Sequence, residues 1–247
     1  NRNITEDEKM TLKEQLKIIS KMSHPSLLKF YGYSQFDFKQ QRKPVIVTEI
    51  ASNQSLKDIL EIERMNRFIS GWNESKKLIT IFGIASGMSY LHSHGIIHRS
   101  LKPSSIYLND SLFPKIGDFG LSTQFLSDDK ISNQTISGFV GTPTYSSPEV
   151  LQYNNYSKSS DVYAFAIIVY EIITKEIPFN EIDSSSKIFK EVVMNQGRPK
   201  INHSIPFCYK KLIEKCWSQN PEERPTFSEI VYELKNNTDF LSNGIKK

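Results

Sequence analysis

Residues 97–120, IHRSLKPSSIYLNDSLFPKIGDFG, concentrate the side chains best suited to chemistry. Lys102 offers a cation, Ser105 a hydroxyl, and Asp118 a carboxylate, with Gly117 and Gly120 leaving the backbone beside that acid free. Residues 106–108 and 113–116 are short β-type runs joined by Asn109-Asp110-Ser111, a turn composition, so they predict a small hairpin. The hairpin sets the loop before it and the acid after it on one edge, within reach of one ligand. A lysine and a carboxylate on one edge suit a polyphosphate with its Mg²⁺, an ion that takes oxygen ligands and keeps substrate phosphates in its shell.

The elements that must position these residues are legible from periodicity. Residues 75–93 carry Leu78, Ile81, Phe82, Ala85, Met88 and Leu91 on one face, which predicts an amphipathic helix entering a core. Upstream, Thr5 and Glu8 have capping-box spacing, and Leu12, Leu16 and Ile19 continue it into a helix over 6–22, ended by His24-Pro25. Strands are expected over 27–33 and 45–48, then a helix over 55–65. Ser159-Ser160-Asp161 is an N-cap composition. Residues 162–173 beyond it are apolar on nearly all sides, as a helix in the middle of a core would be. Further helices are expected over 188–193 and 209–217, and after a capping box at Thr226 and Glu229. Residues 121–140, rich in Ser, Thr, Asp, Asn and Gln, predict a mobile loop.

Bulk properties exclude several classes. A chain of 247 residues, 38% hydrophobic, can bury one large core, and residues 1–247 are expected to form a single domain. Cys208 and Cys216 make neither a disulfide framework nor a metal set, which fits a reducing, intracellular and cytoplasmic compartment. The net charge of +4 is spread without a long basic run, so nucleic acid is not indicated. The longest apolar run, 162–170, falls short of the ~20 residues a membrane span requires. The chain opens on Asn rather than Met and has no signal peptide, as expected of a fragment of a longer protein. His92 and His94 lack metal-spaced partners and are expected at the surface or packed in loops.

Taken together, residues 98–105 and 118–120 resemble the catalytic and metal-binding loops of eukaryotic protein kinases, H-R-D-x-K-x-x-N followed by D-F-G. His98, Arg99, Lys102 and Asp118-Phe119-Gly120 match. Ser100 stands where the family has its catalytic Asp, and Ser105 where it has a second metal-binding Asn. Residues 141–149 resemble G-T-P-x-Y-x-A-P-E with Ser147 in place of Ala, the Ser/Thr-type pattern when taken with Lys102. The stretch Cys216-Trp217, Pro221, Arg224-Pro225 is similar to the C-terminal signature of tyrosine kinases and of the tyrosine-kinase-like group.

The resemblance implies an α+β, protein-kinase-like fold. Residues 1–50 would form a partial N-lobe with the family's C helix and its fourth and fifth strands. Residues 51–240 would form a mainly helical C-lobe, and 241–247 a tail. No G-x-G-x-x-G or V-A-I-K pattern occurs, so the family's first three strands are expected to be absent from this chain. The C-helix Glu position falls on Gln15, with Glu14 one residue earlier and about 100° round the helix. By resemblance, Thr48 is the gatekeeper, and the backbone at Glu49 and Ala51 would meet an adenine. Tyr107 replaces a Leu on the apolar floor beneath that adenine, where it would crowd the base or stack under it. Asp118 would hold metal, with Ser105 a degenerate second ligand. His98 is a packed structural residue, Asp161 braces the catalytic loop, and Glu149 pairs with Arg224. Phosphate on Ser132, Thr135 or Ser137 would pair with Arg99.

A positioned general base contributes roughly 10² to 10⁴-fold, and a serine alcohol cannot serve as one near pH 7. The resemblance therefore implies a pseudokinase that scaffolds or regulates a protein partner, retaining ATP and Mg²⁺ only if nucleotide binding survives. The alternative is an active Ser/Thr kinase acting on a protein substrate, because phosphoryl transfer relies mostly on positioning and electrostatics. An acid from elsewhere in the chain, swung in beside Ser100, would favour the second.

Overall fold

The protein is seen in a computed structural model that describes residues 16–17, 19–41, 45–118, 123–124, 142–201 and 205–242. The expectations for Thr5, Glu8, Leu12, Glu14, Gln15, Phe119, Gly120, Ser132, Thr135, Ser137, Gly141 and the end of the tail lie outside these residues.

Strands β1 (Phe30–Ser34) and β2 (Val45–Thr48) pair antiparallel in a small sheet. Short β3 (Asn53–Ser55) leads into α1 (Leu56–Arg64), closed at its start by a capping box between Ser55 and Asp58. Helix α2 (Glu74–Ser93) is capped by Asn73, whose side chain accepts the Lys76 N–H. After β4 (Ile96–Ile97) comes the expected hairpin, β5 (Ile106–Leu108) against β6 (Pro114–Ile116), with β3 on the other edge of β5. Strand β7 (Thr123–Gln124) pairs with β4. The helical part continues through α3 (Pro148–Tyr153), α4 (Lys158–Thr174), α5 (Ser185–Phe189), α6 (Phe207–Cys216), α7 (Phe227–Asn236) and α8 (Asp239–Ser242).

Helix α4 occupies the centre, with Val162, Tyr163, Phe165, Ile167, Ile168 and Val169 all at most 1% exposed. An all-round apolar helix has no solvent face to offer, so the others pack about it. Helix α2 runs beside α4 and carries the hairpin on Gly83 and Gly87. A Cβ at those positions would lie 2.4 Å from Pro114 Cγ and 2.8 Å from Ile116 Cδ1, so only glycine admits β6 this close. The end of β6, and hence Asp118, is set by that contact. Among the described residues no helix is long and apolar enough to cross a membrane.

Three expected boundaries move. The strand placed over 27–33 begins at Phe30, because buried Leu27 joins the other sheet: Leu28 N–H donates to Ile116 O at 2.9 Å, and Ile116 N–H to Ser26 O at 2.7 Å. The cap of α4 is Ser157, in a reciprocal box with Ser160, which puts Asp161 inside the first turn. The helix over 188–193 is instead α5 running into a π-helical turn, Lys190–Met194.

Candidate active site

Asp161, 2% exposed, anchors the loop after β4. Its Oδ2 accepts the His98 N–H at 2.8 Å and its Oδ1 the Arg99 N–H at 3.0 Å. His92 Nε2 lies 2.8 Å from the same Oδ2. His92 is therefore buried at the heart of the site, which corrects the surface or loop-packing expectation. Only a partner 69 residues away explains it. These bonds also hold Arg99 at φ 65°, a left-handed conformation that an ordinary side chain adopts only when its surroundings compel it.

His98 is fully buried. Its Nδ1 faces the Ser100 N–H at 3.3 Å and so acts as acceptor, which assigns the ring proton to Nε2, 2.9 Å from Gly117 O. Burial pushes this imidazole below its ordinary value, outweighing the opposite pull of Asp161 and Asp118. His98 is thus a neutral strut from the catalytic loop to the residue before Asp118.

The groups expected to meet a ligand are placed less uniformly. Ser100 is half-buried, and its hydroxyl makes no hydrogen bond among the described residues. Lys102 Nζ reaches Thr142 Oγ1 at 3.4 Å. Ser105 departs from expectation. It is fully buried, donating to Lys102 O at 2.8 Å and accepting the Lys102 N–H at 3.0 Å. Its hydroxyl turns into its own loop rather than joining Lys102 and Asp118 at one ligand, as short hydroxyl side chains do at i−3 carbonyls. What Ser105 does supply is its carbonyl, which accepts the Gly117 N–H at 2.8 Å. Asp118 is exposed, at φ 59°.

Tyr107 packs against Gly117: a Cβ at 117 would stand 2.8 Å from Tyr107 Cε2 and 2.7 Å from Leu28 Cδ1. The absence of a side chain at 117 makes room for the ring. Burial, then the Asp118 carboxylate, raises the phenol above its ordinary value. At the expected adenine edge, Thr48 ends β2 and donates its hydroxyl to Glu49 O at 3.2 Å. The Glu49 N–H is taken by Lys29 O at 2.8 Å, and its carboxylate joins the Lys29 N–H and Lys115 Nζ, each at 2.9 Å. Ala51 follows, half-buried.

Beyond the loop, Arg224 and Glu149 pair through the two terminal guanidinium nitrogens, at 2.7 and 2.9 Å, with the arginine side chain fully buried. A second network went unread in the sequence. Tyr145 donates its hydroxyl to Glu171 on α4, and Glu171 also pairs with Arg64 on α1. Burial raises both the phenol and the carboxyl.

Residues 1–234 match the family described as protein tyrosine and serine/threonine kinase, and the chain belongs to that family. It is similar to the dual specificity protein kinase pyk3 of Dictyostelium discoideum, 37% identical over 235 residues, which is 95% of this chain and 16% of that protein. A protein of the same organism described as a probable LIM domain-containing serine/threonine-protein kinase is 34% identical over 221 residues, 89% of this chain and 31% of that one. The dual specificity protein kinase shkC, also of that organism, is 30% identical over 224 residues, 90% and 42% respectively. The chain spans less than half the length of each.

Proposed function

We propose that this chain is a pseudokinase-type domain of the tyrosine-kinase-like group, which keeps the catalytic-loop scaffold, transfers phosphoryl groups weakly or not at all, and regulates a protein partner. One observation carries this reading. Among the described residues lining the cleft beside Ser100, the one acid is Asp161, and both its oxygens are spent holding His98, Arg99 and His92. Within that described lining no other carboxylate stands in for the base that Ser100 replaces, and loss of such a base costs roughly 10² to 10⁴-fold.

ATP with Mg²⁺ fits the residues in part. Asp118 presents one exposed carboxylate, while the Ser105 hydroxyl faces away into its loop, so the oxygen set that Mg²⁺ prefers is incomplete. If the nucleotide binds, Asp118 would hold the metal and Glu49 and Ala51 the base. The metal would neutralise charge on the phosphates.

The second reading, an active serine/threonine kinase, is favoured by the names of the relatives and by the Lys102 to Thr142 contact. The deciding experiment is a phosphotransfer assay on the full-length parent. Metal-dependent labelling of a substrate that Asp118→Ala abolishes rejects the pseudokinase reading. Labelling at background in the parent, raised at least tenfold by Ser100→Asp, supports it.

A further inference from the structure

Tyr107 has no part in the function proposed above, yet its ring holds a defined place. Ile106 and Leu108 on either side of it in β5 are fully buried, so Tyr107 points away from the helical core. It stands opposite Lys115 of β6, and directly opposed residues of an antiparallel pair share a face. Lys115 Nζ lies 2.9 Å from Glu49 Oε1, so that face looks toward the end of β2. At the other side, a Cβ on Gly117 would stand 2.8 Å from Tyr107 Cε2 and 3.2 Å from Cδ2, which seats one edge of the ring on the backbone next to Asp118. Glu49, Ala51 and Tyr107 are each half-buried and Asp118 is exposed, so packing among the described residues closes off none of the four. A flat ring, fixed along one edge and reached by solvent, lies between them.

The charges along this strip say what such a platform suits. The Glu49 carboxylate is matched by Lys115 and by the Lys29 N–H. Asp118 has no cation paired to it among the described residues, and Lys102 is turned to Thr142. The Ser105 hydroxyl closes on its own loop, so no second side-chain oxygen joins Asp118 to hold a metal. A bare carboxylate repels a metal-free triphosphate, whereas an uncharged base meets the aromatic face with no such cost. Stacking on an aromatic side chain needs only a π-face, and a bicyclic purine covers more of the ring than a pyrimidine does.

We propose that this strip binds an uncharged purine nucleoside, stacked on Tyr107 and held without metal, in preference to the metal-free triphosphate. The inference rests on the reading above in one respect, that a base meets the chain at Glu49 and Ala51. It resolves whether the tyrosine crowds that base or carries it.

The test is calorimetric titration of the 247-residue chain with adenosine and with ATP, both in EDTA at low ionic strength. Adenosine should bind saturably and at least about tenfold more tightly than ATP. Tyr107→Leu should weaken adenosine about tenfold, while Tyr107→Phe, which keeps the ring and loses the hydroxyl, should bind it as the parent does. Cytidine should bind more weakly than adenosine, and Asp118→Asn should narrow the gap between adenosine and ATP. Should Tyr107→Leu fail to fold, Tyr107→Phe still decides, because loss of binding there overturns the stacking role. ATP binding more tightly than adenosine in EDTA overturns the proposal, as does an adenosine affinity that Tyr107→Leu leaves unchanged. Absence of adenosine binding overturns it too, and leaves the pseudokinase reading intact, since phosphotransfer alone decides that.

Discussion

The two faces of the catalytic loop differ sharply. Toward α4 every polar group described is engaged: Asp161 takes two backbone N–H groups and His92, both His98 ring nitrogens are bonded, and Ser105 closes on Lys102. In the lining of the cleft, the Ser100 hydroxyl, Arg99 Nε and Ser147 Oγ are unpaired among the described residues, the last two as buried atoms, and Asp118 beyond them is exposed. Shape and chemistry are thus carried by different side chains of one short loop. A side chain on the cleft face is then expected to be replaceable without disturbing the face that holds the fold.

The harshest way to break this comparison is Asp161→Ala. It strands two backbone N–H groups and His92 in a buried site and frees Arg99 from its left-handed conformation. Removing one side of such an arrangement costs about 3–5 kcal/mol. That amounts to a fall of about 10 °C or more in melting temperature for a domain of this size. A loss below about 1 kcal/mol in urea unfolding would show that the loop is held by something else.

Next in size is Gly117→Ala, where the new methyl meets Leu28 and Tyr107 at 2.7 and 2.8 Å. Overpacking of this kind costs about 1–3 kcal/mol. Both neighbours are side-chain ends that yield a little. Adding Tyr107→Leu should recover part of the loss, with a coupling above about 0.5 kcal/mol in the double-mutant cycle. Strict additivity would mean the Tyr107 ring does not rest on Gly117.

How much of this was legible depended on the distance over which each signal acts. Helices α1 and α2, the hairpin and the all-apolar α4 could be read because periodicity, caps and turn residues are local. The Glu149 to Arg224 pair and the Asp161 brace were legible only through resemblance, since 75 and 63 residues separate the partners. His92 and the Tyr145, Glu171, Arg64 network carried no such cue and were missed. Ser105 is the opposite case. Its return to the i−3 carbonyl is a local habit of serine, and the metal-ligand expectation drawn from the motif overrode it. The start of β1 moved because Leu27 serves a different sheet, a preference that only the packed core reveals.

A third test titrates the buried face. The neutral form of His98 is favoured in the folded protein, so its pKa there lies below the ordinary value of about 6.5 that the unfolded chain retains. As pH falls through that value, the unfolded state takes a proton that the folded state refuses, and stability declines. The slope from this one group is at most about 1.4 kcal/mol per pH unit. His24 is shifted the same way, first by burial and then by Lys115. The informative quantity is therefore the difference between the parent and His98→Gln, whose stability should fall less steeply below pH 6.5 in urea unfolding followed from pH 7.5 to 5. Parallel curves would mean His98 is not the buried neutral strut described.

The smallest effect sharpens the comparison most. Ser100→Ala deletes a half-buried hydroxyl that makes no bond among the described residues, and substitutions free of such features usually fall within about 0.5 kcal/mol of the parent. If the cleft face is decoupled from the fold, the variant should melt within a degree or two of the parent, while Asp161→Ala, in the same loop's brace, falls by many. A loss above about 1 kcal/mol would mean that a residue outside those described here holds the Ser100 hydroxyl. The serine would then have a structural role, and the division of the loop into a face that holds shape and a face left open to the cleft would have to be redrawn.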